Sequence, residues 1–225
     1  MLRRFLTLGC LGSLVTVLAV IAGLLVAGDV AARRYATGQL NDRISASTPG
    51  ASGVHSRIRS FPFLGRLLVN GDIAEVGTHV DQLIVAAGIT FTNLDVDLRR
   101  VDLDRHAALF DRQVQLKRVG RGTASVELTA PALSSALGRP VRVSGGAIIV
   151  SVLGSSGVRA TVAVSASQRL EVRVSGLPVL SIQLPSAKLL PCTPQVTVVA
   201  AGVELACTFT SIPPAFVRAI AGAPA

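Results

Sequence analysis

The chain is poor in the residues that mark most catalytic and nucleic-acid sites. It has no Trp, one Tyr and one Met, and aromatic residues make up 4% of its 225 positions. Proteins that hold single-stranded nucleic acid stack bases on aromatic rings set among cations. Here the basic residues have no aromatics interleaved with them, which argues against nucleic acid as a partner. The three His residues, at 55, 79 and 106, are scattered. His-Glu-x-x-His, Gly-x-Ser-x-Gly and Walker patterns do not occur, which argues against the zinc-peptidase, serine-hydrolase and P-loop classes. "GRGTAS" (120–125) lacks the third Gly spacing of a dinucleotide fingerprint. No catalytic residue, cofactor or metal site is assigned, and the chain is read as a non-enzyme.

Cysteine is scarce as well. Cys10 sits in a long apolar run, too early for a lipoprotein processing site, and reads as inert. Cys192 and Cys207 are the other two. With no His nearby they are expected to form a disulfide, which an oxidising compartment permits. Acidic residues are few in one half: residues 112–225 hold eleven basic side chains against Glu127, Glu171 and Glu204, and the whole chain carries +9. An acidic partner would therefore meet the second half. The densest acidic group, Asp95, Asp97, Asp102 and Asp104, invites a Ca²⁺ reading. Alternation explains it more simply, with Asp95 and Asp97 outward between Leu94, Val96 and Leu98.

What is present in quantity is apolar sequence. Residues 5–28 contain no charge, and at about 1.5 Å per residue they reach roughly 36 Å, enough to cross a hydrocarbon core of about 30 Å. The run exceeds the usual signal h-region of about 7 to 15 residues. Residues 1–28 are thus expected to be an uncleaved anchor in preference to a long signal sequence, with residues 29–225 forming an extracytoplasmic domain. In 29–46, Ala32, Ala36, Leu40 and Ile44 recur at four-residue steps, the pattern of an amphipathic helix continuing from the membrane.

Beyond the turn-rich 47–53, period-two alternation dominates. Val158, Ala160, Val162 and Val164 oppose Arg159, Thr161, Ala163 and Ser165, and Leu170, Val172 and Val174 oppose Glu171 and Arg173. Similar runs at 72–84, 89–104, 113–129, 141–152 and 195–210 predict a mostly antiparallel sheet with one apolar face. Short helical patches are expected at 64–68, 106–113, 131–138 and 213–222, with Pro131 and Pro213 at starts and Gly138 and Gly222 at ends. The segments 54–84 and 119–152 look alike, each a strand, a short apolar helix and a strand. The fold class is therefore α+β: a curved sheet wrapped around a long N-terminal helix, preceded by one transmembrane helix.

"RSFPFLGRLLVNGDIAEV" (59–76) carries the chain's one Phe-Pro-Phe. Its local reading is a strand ending at Pro62, a helical turn burying Leu67 and Leu68, and a hairpin at Asn70-Gly71, with a bulge at Gly77. The order of these features matters: an N-terminal span, "DVAARRYATGQLNDRI", "FPFL" with Leu67 and Leu68, then "LDVDLRRVDLD" and the strand leading into "PALSSAL". In this order the chain resembles the LmeA-like phospholipid-binding family of actinobacterial cell envelopes over about residues 15–215.

The resemblance implies a membrane-anchored envelope protein that binds phospholipid in an apolar trough and supports lipoglycan (mannan) assembly, with a fold similar to tubular lipid-binding domains. It carries over no site residues, so the candidates are physical inferences. Phe61, Phe63, Leu64, Leu67 and Leu68 would gate the trough mouth, against the alternative that the Phe pair is core. Val96, Leu98, Val162 and Val164 would line its wall. Arg118, Arg121, Arg139 and Arg142 are either a solvated face or contacts for an anionic phospholipid headgroup. The competing reading is a structural module that scaffolds envelope biosynthetic enzymes without holding lipid.

Overall fold

The computed structural model describes residues 2–85, 89–106, 116–151, 157–165, 168–184 and 192–210, with side chains from residue 15 onward. The first element is one uninterrupted helix, α1 (Leu2–Ser47), which ends where Pro49-Gly50 follows, Gly50 lying at φ 87°. Its upper part leaves apolar side chains uncovered: Leu24 and Leu25 are 68% and 69% exposed. From Val15 the helix is long and apolar enough to cross a membrane. Past Asp29 it becomes two-faced, and Ala32, Ala36, Leu40 and Ile44 are all half-buried while Arg34, Asp42 and Arg43 are exposed.

That stripe lies against β1 (Ala51–Arg59) and α2 (Phe63–Val69), the main neighbours of α1. The lengths match, since residues 29–47 of the helix rise about 28 Å and the nine residues of β1 return about 30 Å. β1 is an edge strand. Its Ser56 N–H, free of the ladder, donates to Asn41 Oδ1 of the helix at 2.7 Å. The helix thereby covers an edge that would otherwise offer unpaired backbone groups to another chain.

The alternating segments form two antiparallel sheets. The first joins β1, β2 (Asp72–Ile84), β3 (Thr90–Leu103) and β4 (Leu116–Thr129) to β11 (Gly202–Phe209) and then β10 (Gln195–Val198). The second is a meander of β5 (Val141–Ser144), β6 (Ala147–Val150), β7 (Val158–Val164), β8 (Arg169–Val174) and β9 (Leu180–Gln183). Between them comes α3 (Ala130–Leu137), capped by the Thr129 side chain and ended by Gly138 at φ 63°. This is the helix expected from Pro131 and Gly138. One core joins the layers, with Leu128, Val203 and Leu205 of the first sheet and Val150 and Leu170 of the second at 0% exposure.

Within the first sheet, cross-strand rows explain residue choice. Ile58, Val76, Leu98, Gly122 and Phe209 form one inward row across five strands. A Cβ on Gly122 would lie 2.2 Å from the Phe209 ring, so glycine there lets the ring lie flat on β4. On the opposite face Arg57, Gly77 and Asp97 are aligned, and Arg57 bonds Asp97 at 3.2 Å across the glycine. A Cβ on Gly77 would sit 2.6 Å from Asp97 Oδ1 and 2.8 Å from Arg57 Nε. The expected bulge at Gly77 is not there: register runs evenly through it, and the glycine makes room for the ion pair.

Other local expectations are also corrected. Asn70-Gly71 is the C-terminal cap of α2, whose Arg66 carbonyl accepts both N–H groups. It is no hairpin, and β1 ends at Arg59, before Pro62. Alternation in 89–104 is interrupted: a register shift falls between Thr92 and Asp95, and Asn93 and Arg100 have φ of 51° and 54°. The runs 141–152 and 195–210 each break into two strands. The two look-alike units diverge in topology, since β1 pairs with β2 whereas β4 and β5 belong to different sheets. Most of the patch at 106–113, and all of 213–222, lie outside the described residues.

Cys192 and Cys207 form a disulfide with Cα atoms 6.0 Å apart, tying the approach to β10 onto the middle of β11. For a loop of 15 residues the cross-link is worth about 3 kcal/mol. Replacing both by Ser should lower the unfolding free energy in urea by about that amount; an unchanged midpoint would show that the bond carries no stability.

Candidate functional site

The Phe-Pro-Phe stretch opens α2, and the structure divides its two rings. Phe63, the first helical residue, is 4% exposed and joins the core, whereas Phe61 on the other side of Pro62 is 67% exposed. Leu64 and Leu67 are half-buried against the core, and Leu68 is exposed. Of the five expected gate residues, one is therefore core, two are half-covered and two face outward.

What holds this stretch was not anticipated from the sequence. Asp29, the first charge after the apolar run, is 5% exposed. Its Oδ1 accepts the Leu64 N–H at 2.7 Å, satisfying one of the orphan donors at the start of α2. At the far end, Arg105 Nη1 donates to the Val69 carbonyl at 2.6 Å, and Arg66 pairs with Asp72. The hydrogen bond from Arg66 holds the Asp72 carboxyl below its ordinary range, and the same bond raises the guanidinium. This contribution is present above the unfolded carboxyl value and is lost as pH falls through the lowered one.

The inner face of the first sheet is covered unevenly. Toward β4 and β11 its residues are buried: Ala124, Val126, Leu205 and Cys207 are all at or below 8%. Toward β1, β2 and β3 coverage is patchy: Ile58, Val80, Leu94 and Leu98 are buried, while Val54, Val76 and Val96 among them are only half-covered. Of the expected wall residues, Val96 lies in this half-covered strip and Leu98 is buried beside it. Val162 and Val164 are half-buried on β7, in the second sheet. The polar members of the strip, Ser56 and Thr78, satisfy each other through their hydroxyls at 3.1 Å. The strip thus presents apolar surface with its polar groups already paired.

Clefts open among the described residues. One of about 390 Å³ is bounded by Arg121, Thr208, Phe209 and Thr210. Another, of about 310 Å³, lies between Ile89, Thr90 and the start of α3. Both fall near the small end of ligand-pocket sizes. Among the arginines proposed for a headgroup, Arg118 and Arg121 stand on β4, while Arg139 and Arg142 lie at the entry to the second sheet. Arg118 pairs with Asp102 at 2.9 Å; Arg121 borders the larger cleft.

The acidic cluster does not converge on a point. Asp97 faces Arg57, Asp102 faces Arg118, Asp104 faces Lys117, and Asp95 accepts from His79. His79 lies between two carboxylates, with Nδ1 2.9 Å from Asp95 and Nε2 3.2 Å from Asp81. The bond to Asp95 is the main reason its pKa is raised.

The architecture is α+β, two open antiparallel sheets with a long N-terminal helix. The family model described as LmeA-like phospholipid-binding matches residues 27–220. The chain belongs to that family. No curated protein and no solved structure matches it.

Two measurements test these placements. Phe63→Ala should destabilise by about 3 to 5 kcal/mol, whereas Phe61→Asp should stay within about 0.5 kcal/mol of the parent; equal losses in urea titrations would contradict the division of the pair. For His79, folding raises the pKa, so its contribution is complete below the unfolded value of about 6.5 and fades as pH climbs through the folded one. An NMR titration of the ring should give a midpoint above about 6.5 that drops in Asp95→Asn; a midpoint at or below that value in the parent would contradict it.

Proposed function

We propose that the chain is a membrane-anchored envelope protein that holds a phospholipid on the half-covered inner face of its first sheet and so supports lipid and lipoglycan (mannan) assembly. Residues 1–28 act as the anchor and 29–225 as the extracytoplasmic binding domain. Membership of a phospholipid-binding family supports the ligand class. The observation that carries the location is the half-covered strip of Val54, Val76 and Val96, apolar and continuous with the core.

An acyl chain laid on this strip gains about 0.8 kcal/mol for each methylene removed from water, so a few methylenes suffice for useful affinity. Val162 and Val164 would bound the chain from the second sheet. Leu64 and Leu67, half-buried at the start of α2, would sit at the entrance, with Phe61 and Leu68 outside it. Arg121 stands on the outer side of β4, bordering the larger cleft with Thr208 and Thr210, so an anionic headgroup reaching round the sheet from the inner strip would meet a guanidinium that binds phosphate bidentately.

The test is mass spectrometry of lipid extracted from the protein purified in detergent, compared with Val96→Asp. The parent should carry phospholipid. The variant, losing at least about 1.4 kcal/mol of apolar contact, should carry about tenfold less while keeping its circular dichroism. A folded parent free of phospholipid, which also takes up none from liposomes, would overturn the proposal and favour the scaffolding module.

A further inference from the structure

We propose that the α2 end of the first sheet is a foot that rests on the bilayer entered by α1, with Phe61, Leu68 and Val69 dipping into an anionic leaflet and a ring of arginines meeting its headgroups. The proposal rests on reading α1 as a span, and it concerns the membrane surface rather than the lipid held inside.

Height comes first. α1 is unbroken from Leu2 to Ser47, and its charge-free run ends at Gly28. Asp29, the next residue, is bonded to Leu64 in the first turn of α2, so α2 is fixed at the level where the apolar run stops. A helix spanning the membrane therefore brings α2 to the interface by construction.

Surface chemistry comes second. Outside α1 the large apolar side chains that stand exposed among the described residues are Phe61, Leu68, Val69, Ile84 and Val179. Three of the five belong to this short stretch, at 67%, 49% and 71% exposure. Exposed apolar clusters of this kind mark contact surfaces. The carbonyls of Leu68 and Val69, which would be left open at the helix end, are met by Arg105. Polar backbone there need not be stripped bare on entering the headgroup layer.

Charge comes third. Arg59, Arg99 and Arg121 share one cross-strand row of the first sheet with Glu75, and Arg100 follows in the next. Nearer still to α2 stand Arg66, Arg105, Lys117 and Arg118, with Asp72, Asp102 and Asp104. Outside α1, with its buried Asp29, the balance at this end is eight basic against four acidic. In the rows beyond, the same sheet holds Arg57, and His79 set between two of the carboxylates, against Asp81, Asp95, Asp97, Glu127 and Glu204. The sheet is thus positive at the α2 end and negative at the other, the polarity that an anionic leaflet would orient. Each basic residue near such a surface contributes about 1 kcal/mol, and combined apolar and basic contacts are what interfacial segments use.

The chain's lack of Trp makes a direct test available. Single-Trp variants Phe61→Trp, Val69→Trp, Leu18→Trp and Val179→Trp of the full-length protein are reconstituted in phosphatidylcholine bilayers, with and without phosphatidylglycerol, containing brominated phospholipids. The expected result is blue-shifted emission and quenching by shallow bromines at positions 61 and 69, quenching by deep bromines at 18, and neither at 179. Adding Arg99→Glu and Arg100→Glu to the first two variants should weaken their quenching in the anionic bilayers. Water-like, unquenched emission at 61 and 69 with quenching at 18 overturns the foot alone. No quenching at 18 overturns the span and the foot with it. Charge reversal without effect in anionic bilayers overturns the electrostatic part. Bound phospholipid, measured on the same preparations, reports separately on lipid holding.

Discussion

The hydrogen bond from the Leu64 amide to a buried carboxylate, Asp29, fixes the helix and the domain against each other where the apolar run ends. Asp29 sits on α1 just where the apolar run ends, and Leu64 opens the short helix that β1 delivers and β2 leaves. Because the carboxylate is almost wholly out of water, it needs a donor, and the Leu64 amide in the first turn of α2 supplies one. The geometry follows from this contact. β1 runs back along α1, Asn41 closes over the strand's free edge, and the remaining strands are laid down one beside another from there. Without the contact, α1 would hold the domain through the Asn41 bond to β1 and the half-buried stripe of Ala32, Ala36, Leu40 and Ile44.

Sheet chemistry then decides which surfaces are available. Toward β4 and β11 the inner face is sealed by Val203, Leu205 and Phe209, the last lying flat because position 122 has no side chain. Toward β1 the same face is covered in patches, Val54, Val76 and Val96 staying half-covered among the buried Ile58, Val80, Leu94 and Leu98. That unevenness separates a core that needs no ligand from a strip that would gain by one. On the outer face, charges are paired across strands one by one, as in Arg57 with Asp97 over Gly77. This explains why a dense group of carboxylates gathers no common centre.

Much of this was legible in the residues. Period two in β7 and β8 placed Val162, Val164, Leu170 and Val172 on one face, as the structure has them. The four-residue stripe of α1 and the caps of α3 were equally readable, because each depends on neighbours a few positions away. The family likeness rested on the order of the anchor, "FPFL" and the later strands, and the match over residues 27–220 bears it out. Contacts over long separations were not readable. Asp29 and Leu64 are 35 positions apart, and nothing near either marks them as partners. Gly77 looked like a bulge because only the third strand reveals what must pass over it. The two rings of Phe-Pro-Phe have the same chemistry, and which of them is buried depends on where α2 docks. Likewise, β4 could have paired with β5, and the choice of β11 instead is a property of the whole fold.

Asp29 mounts the domain on its helix through the Leu64 amide. Hydrogen exchange at the Leu64 amide, in full-length protein within bilayers, reads this contact directly. A slow amide that speeds up roughly fivefold in Asp29→Ala, matching a cap worth about 1 kcal/mol, is the predicted result. An amide that exchanges at the same rate in parent and variant would contradict it.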